Sequence, residues 1–242
     1  MLIRLFDFLN AYPYQRALQE AGLPYELYAD PRQVWEAWKR FPGDAALLPF
    51  AAVAHLQRRR PRWGIASRGA VRSVLLVSTH PPTAWESIRV DERSLSSKRI
   101  LLHLMEKGVL PRLPLLPASS QTAKRVADLV IGDEALRLHR YYPYEIDLGA
   151  LSQKALHKSS VFAVWWTRRE VRGLLSRIWM SKIFLSSEWI IAAATRYNFR
   201  PSVVKDYWRG LRFRLPAIGH AYWQRQFRKN FLYSGNEEGE NK

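Results

Sequence analysis

The chain has 242 residues, 48% of them hydrophobic, enough to bury a full core either as one large α/β domain or as two small ones sharing a hinge. The absence of cysteine excludes disulfide frameworks, thiol nucleophiles and Cys-ligated zinc. A formal net charge of +17 calls for an anionic partner, an anionic substrate or a solvated basic face, and no stretch reaches the roughly 18 consecutive apolar residues of a membrane span.

Leu2–Phe8 reads as a short strand, and Asn10-Ala11-Tyr12 as a turn into a helix that starts at Pro13 and stops near Gly22. Asp30 is placed to cap a second helix, with Val34, Trp35 and Trp38 on one face and Phe41-Pro42-Gly43 as its stop. Asp44–Leu48 follows as a buried strand, Ala51–Gln57 as a short helix, Arg58–Arg62 as an exposed loop and Val71–Ser78 as a strand rich in Val and Leu. After His80-Pro81-Pro82 the pattern restarts with a strand at Ser87–Val90, a turn over Arg93–Ser97 and a helix over Lys98–Lys107 closed by Gly108. Pro114–Pro117, Ala127–Gly132 and Tyr144–Leu148 supply short strands, with a helix expected over about Ser120–Val126, and Val161–Trp166 reads as a returning strand. From Arg168 onward the chain reads as helical: one long helix to about Tyr197, one from Pro201 to Arg209 closed by Gly210, and one from Pro216 to about Leu232. A polar tail follows from Gly235, expected to be disordered. Strands alternating with helices imply a layered, largely parallel α/β sheet.

The positive charge is concentrated late: residues 161–229 carry 14 Lys/Arg against 3 Asp/Glu, whereas residues 1–90 carry 12 against 7. Aromatic residues interleaved with arginine, as in Tyr207-Trp208-Arg209-Gly210-Leu211-Arg212-Phe213-Arg214, suit nucleic acid or anionic lipid, or else mark helices with an aromatic core side and a basic outer side. No nucleic-acid motif accompanies the charge, so the second reading is preferred and no nucleic-acid partner is expected. Charge interrupts Met1–Asp7 too early for a signal peptide, which leads to the expectation of a cytoplasmic protein. The six histidines have no i, i+4 metal spacing, and there is no dinucleotide fingerprint, phosphate-binding loop or nucleophile elbow, so neither a metal nor a cofactor is expected.

Three separated fragments carry more specific information: Phe8-Leu9-Asn10, Ile131-Gly132-Asp133-Glu134-Ala135-Leu136 and Tyr142-Pro143-Tyr144-Glu145-Ile146-Asp147-Leu148-Gly149. In order and approximate spacing they resemble the chorismate dehydratases of the futalosine route to menaquinone, a family built like a type II periplasmic binding protein. The resemblance runs from Phe8 to about Tyr233. It implies an α/β fold of two lobes with a ligand cleft between them. Residues 1–79 and 167–242 would form lobe one, residues 80–166 lobe two, and strands near 72–79 and 161–166 the hinge. Two segments depart from the family pattern. Pro49-Phe50 stands where Ser-Ser is common, and Ser152–Ser160 replaces a Trp and a Thr-Gly-Leu-Pro-Phe run.

Each candidate site residue has a plainer structural alternative. Asn10, at the end of the first strand, either contacts the ligand through its amide, as the resemblance implies, or caps the following helix. Ser94, Ser96 and Ser97 lie where a helix begins, so hydroxyls, free amides and the helix dipole make either a carboxylate site or ordinary caps; the resemblance favours the former. Ser73, in Gly69-Ala70-Val71-Arg72-Ser73-Val74, matches a family serine that faces the cleft, the alternative being a strand serine satisfied by its neighbours. Arg68 and Arg72 are either surface charges or, if turned inward, a carboxylate clamp. Asp133 and Asp147 are assigned either to ligand contact or to local capping, capping being the safer reading for both.

The activity that the resemblance implies is a cofactor-free lyase reaction on a small dicarboxylate, chorismate, with Asn10 and Ser73 as catalytic candidates and Ser94, Ser96, Ser97 and Asp133 as binding candidates. The same fold also accommodates a non-catalytic carboxylate binder or the related naphthoate synthase. A basic nucleic-acid or membrane-surface protein would use the C-terminal helices instead.

Overall fold

Strands that are buried end to end set the architecture. In the computed structural model, which describes residues 1–56, 60–121, 124–182 and 186–234, eleven strands form two sheets. The first has the order β11-β4-β10-β3-β1-β2, where β1 is Ile3–Phe6, β2 Glu26–Tyr28, β3 Ala45–Pro49, β4 Trp63–Ser67, β10 Val161–Thr167 and β11 Leu211–Arg214. The second has the order β7-β6-β8-β5-β9, with β5 Val74–Ser78, β6 Ser87–Val90, β7 Leu115–Pro117, β8 Val126–Ile131 and β9 Tyr144–Asp147. Pairing is parallel among β1, β2 and β3 and among β6, β7 and β8, but β10 runs antiparallel to β3 and β4, and β5 antiparallel to β8 and β9.

The chain therefore crosses between sheets twice, once through residues 68–73 and once on the way from β9 to β10. This pairing differs from the expected lobe boundaries: β5 is a member of the second sheet rather than an end of the first, and β10 is a member of the first. The reason is hydrogen bonding, since β5 has both neighbours, β8 and β9, in the second sheet and β10 has both, β3 and β4, in the first.

Helices cover the sheets. Helix α1 (Tyr12–Glu20) places Tyr14, fully buried, among Trp165, Trp179 and Phe213, with ring centroids 5.3–5.5 Å away. The Tyr14 hydroxyl lies 2.8 Å from the Gly64 carbonyl and 3.0 Å from that of Phe213, so one side chain ties α1 to β4 and β11. Gly64 is required where β4 meets β10, because a Cβ there would lie 2.2 Å from the Ala163 carbonyl oxygen. Helix α2 (Pro31–Arg40) is capped by Asp30, whose Oδ1 accepts from the Gln33 amide at 2.9 Å, as its sequence position implied.

Several expectations are corrected. No helix forms among the described residues of 120–125: Val126–Ile131 is taken by β8, whose β-branched residues favour a strand, while residues 122 and 123 lie outside the described set. The long helix expected from Arg168 is interrupted, α7 covering Arg169–Lys182 and α8 Ser187–Tyr197, because Ser186 accepts from the Trp189 amide and starts a new helix. Strands β2, β4 and β11 and helix α6 (Leu148–Leu156) were not expected. The expectations for Gln57–Arg59 and for the tail from Gly235 fall outside the described residues. In the basic third, α9 (Pro201–Gly210) turns Tyr207 and Trp208 inward, leaving them 2% and 1% exposed, and Phe213 of β11 is buried too. Those rings are core and are not available for stacking on bases. Among the described residues no helix is long and apolar enough to cross a membrane.

The first crossing is fixed by Asp147. Its Oδ2 accepts from the Val71 amide at 2.8 Å and the Arg72 amide at 2.6 Å, and its Oδ1 caps α6 through the Ala150 amide at 2.9 Å. Arg72 sits there at φ +57°, a conformation that L side chains adopt at a cost. Asp147→Ala removes acceptors from three backbone amides, and the expected loss of stability is roughly 1–3 kcal/mol, read as a fall in the melting temperature. An unchanged melting temperature would mean that the crossing is held by other contacts.

Candidate functional site

Residues from both sheets line one cleft. Its walls are apolar: Phe6, Phe8, Pro31, Pro49, Ile65 and Phe162 on one side, and Val71, Val74, Leu95 and Ile131 on the other. Its polar groups are few: Asn10, Ser73, Arg93, Ser94, Ser96 and Ser97. Of the six residues singled out from the sequence, five are thus brought together in space from three separate stretches of chain.

Asn10 follows β1 in the turn before α1. The N-cap position of that helix is Ala11, with no side-chain cap, so Asn10 does not serve as one. Its Oδ1 is buried in the cleft without a hydrogen-bond partner. Ser73 stands just before β5, 2% exposed, with Oγ 2.8 Å from the hydroxyl of Tyr207. Sequence reasoning missed Tyr207 as a neighbour of the site, since an aromatic residue at helical spacing carries no sign of what its hydroxyl touches.

Helix α4 (Leu95–Glu106) begins at the cleft. Ser94 occupies its N-cap position but does not cap it, and its Oγ is buried without a partner. The Ser96 hydroxyl accepts from the Ala51 amide at 3.2 Å, which leaves its own proton available. Ser97 is 5% exposed and lines the same wall. The first amides of a helix have no intrahelical acceptor, and the helix dipole adds partial positive charge at that end. Together these groups suit an anion.

The arginines are arranged differently from the expectation. Arg68 is exposed, and neither it nor Arg72 lines the cleft. The arginine that does is Arg93, which pairs with Asp91 and lies 3.3 Å from Glu134. Asp133 neither caps nor lines the cleft: its Oδ1 accepts from the Leu9 amide at 3.0 Å, joining the first sheet's β1–α1 turn to α5 (Gly132–Leu138) beyond the second sheet. Gly132 makes that approach possible, at φ +66° and with Phe8 ring carbons 2.7–2.8 Å from where a Cβ would stand. Arg137 donates to the Tyr197 carbonyl at 3.0 Å, and Arg32 pairs with Glu92 at the rim, so further contacts join the two sides. Of the two segments that depart from the family pattern, Pro49 lines the cleft, whereas none of residues 152–160 does. Among the described residues no three His, Asp or Glu side chains converge as a metal site would need.

Two sheets, two crossings and a cleft between them define a two-lobed protein of the periplasmic-binding-protein class. Solved structures agree. The alkanesulfonate-binding protein SsuA from Xanthomonas axonopodis pv. citri, bound to MOPS, superposes with a TM-score of 0.65 at 13% identity, over 96% of this chain and 92% of its own. The periplasmic aliphatic sulphonate binding protein SsuA from Escherichia coli gives 0.65 at 13%, over 97% and 92%. Protein AF1704 from Archaeoglobus fulgidus gives 0.58 at 11%, over 97% of both chains. At these identities the likeness speaks to fold alone. The profile of the family described as "Menaquinone biosynthesis" matches residues 3–222, and the chain belongs to that family.

Asp133 supplies a test of the link between lobes. Burial pushes its carboxyl up to about 6, while the Leu9 amide and Arg137 pull the other way and Asp7 adds to the rise. A carboxyl raised on folding contributes stability that is complete below its unfolded value, near 3.8, and is lost as pH rises through about 6. Asp133→Asn keeps an acceptor for Leu9 and removes the titration. Its melting temperature, relative to the parent, should rise between about pH 4 and pH 6 and then level off. A pH-independent difference would contradict this placement.

Proposed function

We propose that this chain is a hydro-lyase that removes water from chorismate to give 3-[(1-carboxyvinyl)oxy]benzoate, in menaquinone biosynthesis and in the cytoplasm. The observation that supports it best is the content of the cleft: unpaired hydroxyl and amide groups, helix-start amides and apolar walls, in a chain of the menaquinone biosynthesis family. Ser94, Ser96 and Ser97 with the start of α4 would hold one carboxylate and Ser73 the other. Asn10 Oδ1, unpaired, suits the substrate's hydroxyl as a donor.

Among the described residues no Asp, Glu, His or Lys lines the cleft. A base must therefore arrive with the substrate, and its enolpyruvyl carboxylate can serve. The ring C–H proton passes to that carboxylate, the C–H electron pair becomes a ring double bond, and the hydroxyl departs with the proton as water. Aromatisation supplies the driving force. The protein's part is to orient the two groups and to stabilise the charge that develops between them, in an apolar enclosure where fixed dipoles act strongly.

Purified protein incubated with chorismate should yield an aromatic product lighter by one water, followed by absorbance and mass. Binding heat without product would make the chain a carboxylate binder, and neither heat nor product would overturn the reading. Asn10→Asp places a negative charge against a dicarboxylate and should lower turnover by a factor on the order of a hundred or more, with the melting temperature retained. An unchanged rate would remove Asn10 from the site.

A further inference from the structure

An ion pair spans the mouth of the cleft. Arg32 stands in the first turn of α2, which packs on β1 and β3 of the first sheet, and Glu92 stands between β6 and α4 on the second side; the two side chains are paired. Their chain neighbours Pro31 and Arg93 both line the cleft, so the pair joins the two lobes at its rim. Both partners are exposed, with 44% and 72% of their side-chain surface open to water, and a pair of that kind does little to hold a fold together. Open and closed forms of a hinged protein, however, are close in free energy, so even a weak contact between lobes shifts their populations.

What lies behind the pair treats the two signs of charge unequally. Among the described residues no Asp or Glu lines the cleft, whereas Arg93 and the start of α4, with its unpaired amides and positive dipole end, do. A cation that displaced Arg32 from Glu92 would meet no carboxylate inside. An anion that displaced Glu92 from Arg32 would be passed to a second site of favourable charge.

We propose that Arg32 and Glu92 form an ionic latch that selects anions at entry: the pair holds the mouth closed, and an anionic solute opens it by taking the place of Glu92 on Arg32. Resting on the proposed use of the cleft for a small dicarboxylate, this makes Arg32 a capture residue that meets the ligand during entry and returns to Glu92 behind it. A guanidinium suits the task, because it stays charged throughout the physiological range and grips a carboxylate through two parallel N–H donors. The class of ligand admitted is a small anion with a carboxylate at its leading end, and neutral analogues of the same size enter more slowly.

The chain has no cysteine, so Ser97→Cys supplies a single thiol in the cleft, where the serine is 5% exposed. Its rate of modification by methanethiosulfonate reagents reads opening without any substrate. With a neutral reagent, adding Glu92→Gln or Arg32→Gln should speed modification about twofold to fivefold, the range that loss of an exposed ion pair supplies. The reversed pair Arg32→Glu/Glu92→Arg should bring it back to the parent rate. Unchanged rates in the single variants, or a reversed pair as fast as they are, would overturn the latch. An anionic sulfonate reagent, scaled to its reaction with a free thiol, should gain on the neutral one in Glu92→Gln, where Arg32 is released, and lose that gain in Arg32→Gln. Lys39→Gln, an equal change of charge further along α2, should leave the ratio as in the parent. Equal ratios in Glu92→Gln and Arg32→Gln, or a fall in Lys39→Gln as large as in Arg32→Gln, would overturn capture by Arg32. If a variant fails to fold, the salt response of Ser97→Cys alone decides: neutral-reagent modification should quicken as salt screens the pair, and a flat response would contradict the latch. No chorismate enters these measurements, so a failure of the parent protein to bind or convert it would overturn the proposed activity alone.

Discussion

The peptide of Leu9 is tied on both sides: its N–H is held by the Asp133 carboxylate at the start of α5, and its C=O by the indole of Trp208 on α9. One residue of the β1–α1 turn is thereby fixed to both lobes, and Asn10 next to it inherits that position. Leaving a buried backbone group unpaired costs roughly 1–3 kcal/mol, so this turn has little freedom to move independently of the lobes. Phe8, pressed against Gly132, closes the same joint by packing.

Given that anchor, the polar chemistry of the cleft follows from what the rest of the structure leaves unpaired. Most buried polar atoms in a folded protein have a partner, and those without one call for an explanation. Here Asn10 Oδ1 and Ser94 Oγ are unpaired, and both residues line the cleft beside helix amides that the backbone itself cannot satisfy. Their spacing is controlled by groups set back from the cleft: Tyr207 on Ser73, Ala51 on Ser96, and Asp147 on the crossing segment that delivers Ser73. The charged groups near the entrance are paired among themselves, Arg93 with Asp91 and Arg32 with Glu92, which keeps strong charges off the ligand and leaves recognition to hydrogen bonds.

The sequence made part of this visible. Asp30 before Pro31 and Gly108 after Glu106 act as helix punctuation where local rules place it. Strands with continuous apolar runs, such as Val74–Ser78, were also legible. Strand β4 was not, because Trp63-Gly64-Ile65-Ala66-Ser67 carries a glycine whose place is set by the close approach of β10, a requirement that exists only in the assembled sheet. Strand β11 was hidden by its arginines, which read as a basic surface while Leu211 and Phe213 alternate inward. The positions of Asn10 and of the serines were legible only through the motifs that contain them. Asp133 shows the limit of that route: its motif marked it as important, but its partner is 124 residues away in the chain, and whether it meets a ligand or a backbone amide is decided by tertiary contact.

The most direct measurement is a crystal structure of the protein with chorismate captured in the cleft by rapid cooling. One carboxylate should lie within hydrogen-bond distance of Ser94 Oγ and the first amides of α4, the other beside Ser73, with the ring hydroxyl facing Asn10 Oδ1. A ligand bound elsewhere, or one in the cleft with its carboxylates turned away from α4 and an apolar edge toward Asn10, would contradict the account.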